Sequence, residues 1–190
     1  MTHTDMIGNI LAVYDASTDG QRARGHAWYD RMHTVTRLHA ERLGIEPVHV
    51  AGVFAAFSIN TPWRRTVTLA GNTLRGRKVR ALGMSIRKAQ ECMSGNALRV
   101  NDKRARKVLA FCANMSGDMQ RVTVDRWALR VAYGLTSGGY VPKGDEYDAI
   151  EAAYREAAFK RGVSPASMQA VTWVALRDLT GGAYGRKVAA

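Results

Sequence analysis

The sequence predicts an all-α protein of about eight helices. Apolar residues recur at helical spacing along almost the whole chain. Convincing pairs of strands are missing from the pattern, and Val122-Thr123-Val124 is the only short run that favours β structure. We therefore expect helices in two lobes with a cleft between them.

The helices follow one another along the chain with short connections. Segment 5–15 predicts a short amphipathic helix, and segment 21–43 predicts a long one that Gly44 ends. Pro47 suits the first turn of a helix over 47–57, which is apolar nearly all round and therefore belongs at the centre of the core. The remaining predicted helices cover 62–74, 84–93, 102–115, 123–134, 145–160 and 165–179.

Capping residues support two of the later helices. Asn101 or Asp102 is a suitable N-cap for the helix over 102–115. Ser164, followed by Pro165, has the same role for the last helix. The length of 190 residues suits one domain over 1–190. Within it, we expect a basic central lobe over about 62–135 and a second lobe built by helices from both termini.

Several classes of protein are excluded by composition. The longest apolar runs are too short for a transmembrane helix, and the first thirty residues lack an apolar signal core. Cys92 and Cys112 are too few for an iron–sulfur cluster or a disulfide framework. The five histidines lack nearby cysteines or paired carboxylates, so no metal site is predicted. We expect a cytoplasmic monomer without a cofactor and without a membrane partner.

The net charge of +12 is concentrated in one region. Between Arg64 and Arg130 there are sixteen Lys and Arg against four Asp and Glu, and the rest of the chain is neutral. Arginine outnumbers lysine 21 to 7, which favours bidentate recognition of phosphate. A solvated basic surface is the simpler interpretation; a face that binds DNA is the alternative. The predicted DNA-binding cations are Arg77, Lys78, Arg80, Lys103, Arg104, Arg106, Arg126 and Arg130.

Two residues of the basic region are candidates for chemistry. Asp125 follows Val122-Thr123-Val124 at the start of a predicted helix, where a carboxylate is either a cap or a catalytic group. Lys107 lies eighteen residues earlier among other cations, and it is either an amine nucleophile or a solvated charge.

These residues resemble a known family. Lys107-Val108-Leu109-Ala110-Phe111, followed by Val122-Thr123-Val124-Asp125-Arg126-Trp127, is similar to the core of the helix-hairpin-helix DNA glycosylase superfamily. In that family the aspartate is essential for catalysis. Members that also cleave at the abasic site carry a lysine about this far upstream. The resemblance implies a catalytic role for Asp125 and a nucleophilic role for Lys107.

An earlier element extends the resemblance over roughly residues 47–135. Ala55-Ala56-Phe57-Ser58-Ile59-Asn60-Thr61-Pro62-Trp63 is similar to a motif of small phage-borne relatives, in which a lysine, a phenylalanine and an asparagine follow. Asn114 fills the position of that asparagine. The base-pocket residues that the resemblance implies are Ser58, Asn60, Trp63, Asn114 and Trp127.

The chain departs from the family pattern at two places. The family's hairpin contains glycines, whereas segment 101–105 contains none, and Trp127 stands where the family has a histidine. The implied function is a DNA glycosylase that flips a modified or damaged base and cleaves its N-glycosidic bond, with strand cleavage if Lys107 forms a Schiff base. Two alternatives stay open: a side-group transfer on hypermodified thymine, and a non-enzymatic DNA-binding protein.

Overall fold

The structure, a computed structural model, describes residues 1–99 and 105–180. Within these ranges the chain forms nine helices and no strand, so the predicted all-α class is confirmed. The helices are α1 (His3–Asp15), α2 (Asp19–Leu43), α3 (Pro47–Phe57), α4 (Trp63–Thr73), α5 (Gly83–Met93), α6 (Ala105–Met115), α7 (Arg126–Tyr133), α8 (Gly144–Arg161) and α9 (Pro165–Leu179).

The first two helices begin two residues earlier than the apolar pattern predicts, because reciprocal caps extend them. The Thr2 hydroxyl accepts from the Asp5 amide at 3.1 Å, and the Asp5 carboxylate accepts from the Thr2 amide at 2.8 Å. Thr18 and Gln21 make the same exchange at the start of α2, at 3.2 and 2.9 Å. Each exchange satisfies an amide that the helix itself leaves unpaired.

The predicted start of α7 is wrong, and the predicted cap of α6 lies outside the described residues. α7 begins at Arg126 rather than at 123, because Val122, Thr123 and Val124 form a buried segment outside the helix and Asp125 caps the helix. The predicted N-cap of α6, Asn101 or Asp102, lies outside the described residues. The predicted bounds of α3 and α9 are confirmed.

The chain divides into two compact units, with boundaries after Trp28 and after Thr123. The terminal unit comprises Met1–Trp28 and the described residues from Val124 on; the central unit is Tyr29–Thr123. In the terminal unit, α1 packs against α7, α8 and α9. Its largest fully buried side chains are Ile10, Val124, Leu129, Ile150, Tyr154 and Met168.

The core of the central unit is built around α3. This helix packs against α4, α5 and α6, and all residues from Val50 to Phe57 are buried. A Cβ at Gly52 would lie 2.6 Å from the Cys92 Sγ, so this glycine lets α5 approach closely. The prediction that 47–57 forms a core helix is confirmed for this unit.

None of the helices in the described part of the chain combines the length and the apolar character that crossing a membrane requires.

A glycine also sets the closest helix contact of the terminal unit. A Cβ at Gly25 in α2 would lie 2.5 Å from the Cα and 2.7 Å from the amide nitrogen of Val171 in α9. These are backbone atoms, which cannot turn aside as a flexible side chain can. The close contact of α2 with α9 therefore requires the absence of a side chain at this position.

We expect Gly25→Ala to destabilise the protein by about 1–3 kcal/mol, because the added methyl group forces α2 and α9 apart. The matched control is Gly8→Ala in α1, where no atom lies within 4 Å of the added Cβ. Alanine's higher helix propensity should there stabilise the protein by about 0.5–1 kcal/mol. Urea denaturation measures both changes. Equal shifts of the two midpoints would contradict the close-contact interpretation.

Candidate nucleic-acid interface

The net positive charge of the chain belongs to the central unit. Its sequence contains 17 Lys and Arg against six Asp and Glu, a net charge of +11. The rest of the sequence, 1–28 and 124–190, contains 11 Lys and Arg against 10 Asp and Glu, a net charge of +1. A surface suited to a polyanion is therefore to be sought in the central unit.

The turn that follows α4 presents a group of cations to solvent. Gly76, with φ of 70°, ends the helix, and its amide donates to the Thr73 carbonyl at 2.9 Å. The Arg77 amide donates to the Asn72 carbonyl at 2.9 Å, which completes a helix-ending turn that only glycine adopts easily. The exposed cations of this turn are Arg75, Arg77, Lys78 and Arg80.

The chain after this turn runs back alongside α4. The Arg65 guanidinium, in the first turn of α4, donates to the carbonyl of Arg80 at 3.4 Å. An α-helix of this length rises about 16 Å, so the cations extend over about that distance, which covers several phosphates of one DNA strand. We call these residues the basic strip; its members are Arg64, Arg65, Arg75, Arg77, Lys78 and Arg80.

Three cations of the basic strip differ in their pairing from several cations of the terminal unit. Within the described residues, no carboxylate forms a salt bridge with Arg77, Lys78 or Arg80. In the terminal unit, by contrast, ion pairs join Arg24 to Asp178, Arg155 to Glu151, Lys160 to Glu156 and Arg161 to Asp15. The charge of the strip is thus open to an anionic partner.

Positive charge at the end of α4 acts on a neighbouring histidine, His39. Burial lowers the pKa of His39, and the charges of Arg42 and Arg75 lower it further. The Arg42 guanidinium also donates to the Leu74 carbonyl at 2.8 Å. A cation at the C-terminus of a helix interacts favourably with the helix dipole. Arg42 therefore adds positive charge next to Arg75 of the strip.

Lys107 lies on the same face of α6 as Phe111 and Asn114, because these positions are four and seven residues apart. The Phe111 ring meets Trp63 edge-on at 5.8 Å between centroids, and it meets Tyr29 at 6.4 Å. Lys107 and Trp63 are both half-buried. The central unit thus brings two of the sequence-predicted site residues to one aromatic cluster.

Asn114, a predicted base-pocket residue, is fully buried and engaged within the chain. Its amide nitrogen donates to the carbonyls of Asp118 and Arg121, at 2.7 and 3.0 Å. Its carbonyl oxygen accepts from the Thr123 hydroxyl at 2.8 Å. The side chain therefore holds the turn after α6 and the segment that leads to Asp125.

The remaining base-pocket candidates near α4 lie in the connection after α3. The Ser58 hydroxyl donates to the Ala55 carbonyl at 2.8 Å. Asn60 is exposed and, among the described residues, is the only non-glycine with positive φ, at 52°. Asparagine tolerates this left-handed conformation better than most residues. Ser58, Asn60 and Trp63 therefore lie within six residues at the start of α4.

Asp125 is the N-cap of α7. One carboxylate oxygen, Oδ1, accepts from the amides of Trp127 and Ala128, both at 2.9 Å. The residue is half-buried and has extended backbone. The cap that the sequence offered as one alternative is present, and it places a carboxylate where the helix dipole favours negative charge.

The cations predicted on α7 differ in their surroundings. Arg126 is exposed. The Arg130 guanidinium lies 4.5 Å from the centroid of the Trp127 ring, and its Nε donates to the Gly138 carbonyl at 2.6 Å. Arg130 therefore holds the loop after α7, with its guanidinium over the Trp127 ring. On α6 Arg106 is exposed, whereas Lys103 and Arg104 lie outside the described residues.

Two buried tyrosines of α8, Tyr147 and Tyr154, were not predicted as site residues from the sequence. Tyr147 accepts from the Val124 amide at 3.3 Å, directly before Asp125. Tyr154 is fully buried two turns later, and burial together with the charge of Asp125 raises its pKa. The signal that could have found them is their seven-residue spacing, which places two hydroxyl groups on one face of an otherwise alanine-rich helix.

The described part of the chain was compared with what a metal site and a reactive thiol require. Among those residues, no group of three or more His, Cys, Asp or Glu is placed to hold a metal ion. Cys92 and Cys112 are buried, and burial raises their thiol pKa values to about 11 and about 12. Both thiols are therefore protonated at neutral pH, and thiols are poor nucleophiles.

No curated protein and no solved structure matches this chain. The model of a family of unknown function, DUF7178, matches residues 1–180. Since the match covers nearly the whole sequence, the chain belongs to the DUF7178 family.

Proposed function

We propose that this protein binds DNA through the basic strip and cleaves the N-glycosidic bond of a modified or damaged base. The observation that carries the proposal is the strip itself, a row of exposed arginines and a lysine in a unit of net charge +11. Arginine recognises phosphate through two parallel hydrogen bonds. The two-lobed glycosylase-like arrangement and its cleft are part of this proposal, and they rest on the resemblance of the sequence.

In the proposed reaction the target nucleotide leaves the base stack, at a free-energy cost of a few kcal/mol. The Asp125 carboxylate stabilises the positive charge that develops on the sugar as the glycosidic bond breaks. The base departs with the bonding electron pair. The neutral amine of Lys107 forms a bond to C1′, the C1′–O4′ bond of the sugar ring breaks, and the two amine protons pass to the departed base and to O4′. The resulting Schiff base leads to strand cleavage.

In the proposed reaction an aromatic side chain, Trp63, interacts with the flipped base. Trp63 is half-buried beside Phe111, so part of its ring is accessible while the rest is held by packing. Stacking on an aromatic ring stabilises an unpaired base by about 1–3 kcal/mol. In the proposal, Trp63 stacks on the flipped base or fills the space that it leaves.

A non-enzymatic DNA-binding protein is the second candidate, and one observation favours it. The Oδ1 atom of Asp125 already accepts two helix amides, so the residue has a structural role without any substrate. The basic strip serves both candidates equally. The chemistry at Asp125 is what separates them.

We expect DNA affinity to fall steeply with salt, with a log–log slope between about −4 and −7. Replacing Arg77, Lys78 and Arg80 together by Gln should make the slope shallower by about 2 to 3 units. Fluorescence anisotropy with a duplex oligonucleotide at several salt concentrations measures the slope.

The matched control for this prediction replaces three paired cations of the terminal unit, Arg24, Arg155 and Lys160, by Gln. It removes the same charge and should leave the slope unchanged. A parent slope near zero, or no binding at low salt, would remove the nucleic-acid interpretation. Equal effects of the two triple variants would show that net charge, and not the strip, determines affinity.

We expect Asp125→Asn to lose base release by about 100-fold or more while stability and DNA affinity are kept. Asparagine caps a helix about as well as aspartate but has no charge to stabilise the sugar cation. Asp125→Ala should lose both turnover and about 1 kcal/mol of stability. Mass spectrometry of bases released from DNAs with modified bases measures turnover.

Undiminished turnover in Asp125→Asn would show that Asp125 is only a cap. A parent protein that binds these DNAs but releases no base from any of them would favour the non-enzymatic candidate. Thermal unfolding of the three proteins separates a lost cap from a lost charge, because only the alanine variant should melt earlier.

We expect borohydride to trap a covalent adduct between the parent protein and a substrate strand, and Lys107→Gln to lose it. Lys160→Gln, which removes a lysine of the terminal unit that pairs with Glu156, is the control and should keep the adduct. Gel electrophoresis detects the adduct. Base release that persists in Lys107→Gln, with no strand nicking by the parent, would identify water as the nucleophile and Lys107 as a phosphate contact.

A further inference from the structure

Two exposed apolar side chains lie where the basic strip meets α5. Leu82 is 59% exposed and Met84 is 47% exposed, although leucine and methionine are usually buried. Arg80 of the strip precedes Leu82 by two residues, Arg87 of α5 follows Met84 by three, and both arginines are exposed. A single exposed leucine is common on a protein surface, but this pair lies between cations.

The chain holds Leu82 in place from both sides. The Arg65 guanidinium donates to the Arg80 carbonyl at 3.4 Å, which joins the chain before Leu82 to α4. The Ile86 amide donates to the Leu82 carbonyl at 3.1 Å, which joins Leu82 to the first turn of α5. Leu82 is the N-cap of α5, a position that favours side chains with a hydrogen-bond acceptor, and its own side chain makes no cap. The leucine side chain is therefore presented to solvent from a fixed backbone.

α5 is attached to the core of the central unit through its other face. The buried residues of this helix are Ser85, Ala89 and Cys92, and it packs against α3, where Gly52 lets it approach closely. Of the described residues in α5, Met84 is the only large apolar one that is exposed. A helix that binds a membrane surface needs a long apolar stripe, so a lipid surface does not fit this short apolar point.

An apolar point among cations fits duplex DNA. Proteins that bend DNA insert leucine or methionine side chains between base steps, while their arginines and lysines bind the DNA around that step. The cations that flank Leu82 in sequence suit the phosphates near such a step. Insertion is easiest at pyrimidine–purine steps, because these steps unstack readily.

We propose that Leu82 inserts between two base pairs of duplex DNA, with Met84 beside it, and that this insertion directs the protein to pyrimidine–purine steps. The proposal rests on the DNA binding of the proposed function, and it names the ligand as duplex DNA with a flexible step. Base release is not required for it. The insertion therefore belongs equally to the enzymatic and the non-enzymatic candidate.

The test uses two duplexes of equal composition. One strand of the first consists of a purine run, a central TA step and a pyrimidine run, so that TA is its only pyrimidine–purine step. In the second duplex the central step is reversed to AT, which leaves no pyrimidine–purine step. The adenine of the central step is replaced by 2-aminopurine, whose fluorescence rises when the base unstacks, and fluorescence anisotropy measures the affinity for each duplex.

We expect the parent to bind the TA duplex about tenfold more tightly than the AT duplex and to raise the 2-aminopurine fluorescence on the TA duplex. Leu82→Ala should lose both effects but keep the salt dependence of binding, because it removes no charge. Leu82→Met retains an apolar side chain and should keep both effects. The matched control is Leu179→Ala on α9 of the terminal unit, where Leu179 is 76% exposed, and it should behave as the parent does.

Equal affinity of the parent for the two duplexes, or equal losses in Leu82→Ala and Leu179→Ala, would overturn the proposal. Vesicles that contain phosphatidylserine test the other surface that cations and apolar groups can bind together. A Leu82→Ala variant that keeps the step preference and binds these vesicles less tightly than the parent would assign this surface to a membrane.

The outcomes separate this proposal from the proposed function. A step preference that depends on Leu82, in a protein that releases no base, would keep the insertion and reject base excision. Base release by a protein without any step preference would keep base excision and reject the insertion. A parent that binds neither duplex would reject both.

Discussion

The position of Asp125 depends on how the buried segment before it is held. Val122 and Val124 are fully buried, and among the described residues no strand pairs with them. Side chains bind the backbone on either side instead: the Asn114 amide donates to the Arg121 carbonyl, and the Tyr147 hydroxyl accepts from the Val124 amide. Unpaired buried backbone groups are destabilising, so these two bonds hold the path of the chain. Asp125 then follows at a defined place and begins α7.

The helices could be predicted from the sequence because each buries a stripe of apolar residues with the helical period. α3 and α9 have the predicted bounds, since Pro47 and the pair Ser164-Pro165 mark their starts. The apolar pattern predicts the starts of α1 and α2 two residues too far along the chain, because their capping boxes consist of polar residues outside the apolar stripe. Such caps are local, so the sequence contained them and the apolar pattern alone missed them.

The candidate site was less predictable, because it depends on contacts distant in sequence. The excess of positive charge was visible in composition, but which cations lack a carboxylate partner is a three-dimensional property. Arg130 illustrates this, since its guanidinium lies over Trp127 and bonds to Gly138 rather than facing solvent alone. Asn114 is a second example: its three partners all lie within the chain. The concentration of positive charge pointed to Arg130 and the family resemblance pointed to Asn114, whereas packing determines what the two side chains do.

The capping and catalytic interpretations of Asp125 use the same physical features. A cap requires an anion or polar oxygen aimed at the first amides of a helix, where the dipole favours negative charge. Stabilising a sugar cation requires an anion that is already oriented and needs no reorganisation as charge develops. The two amide bonds to Oδ1 orient the carboxylate before any substrate binds. A cap formed by an aspartate in a half-buried position is therefore a preorganised anion, and the cap does not argue against catalysis.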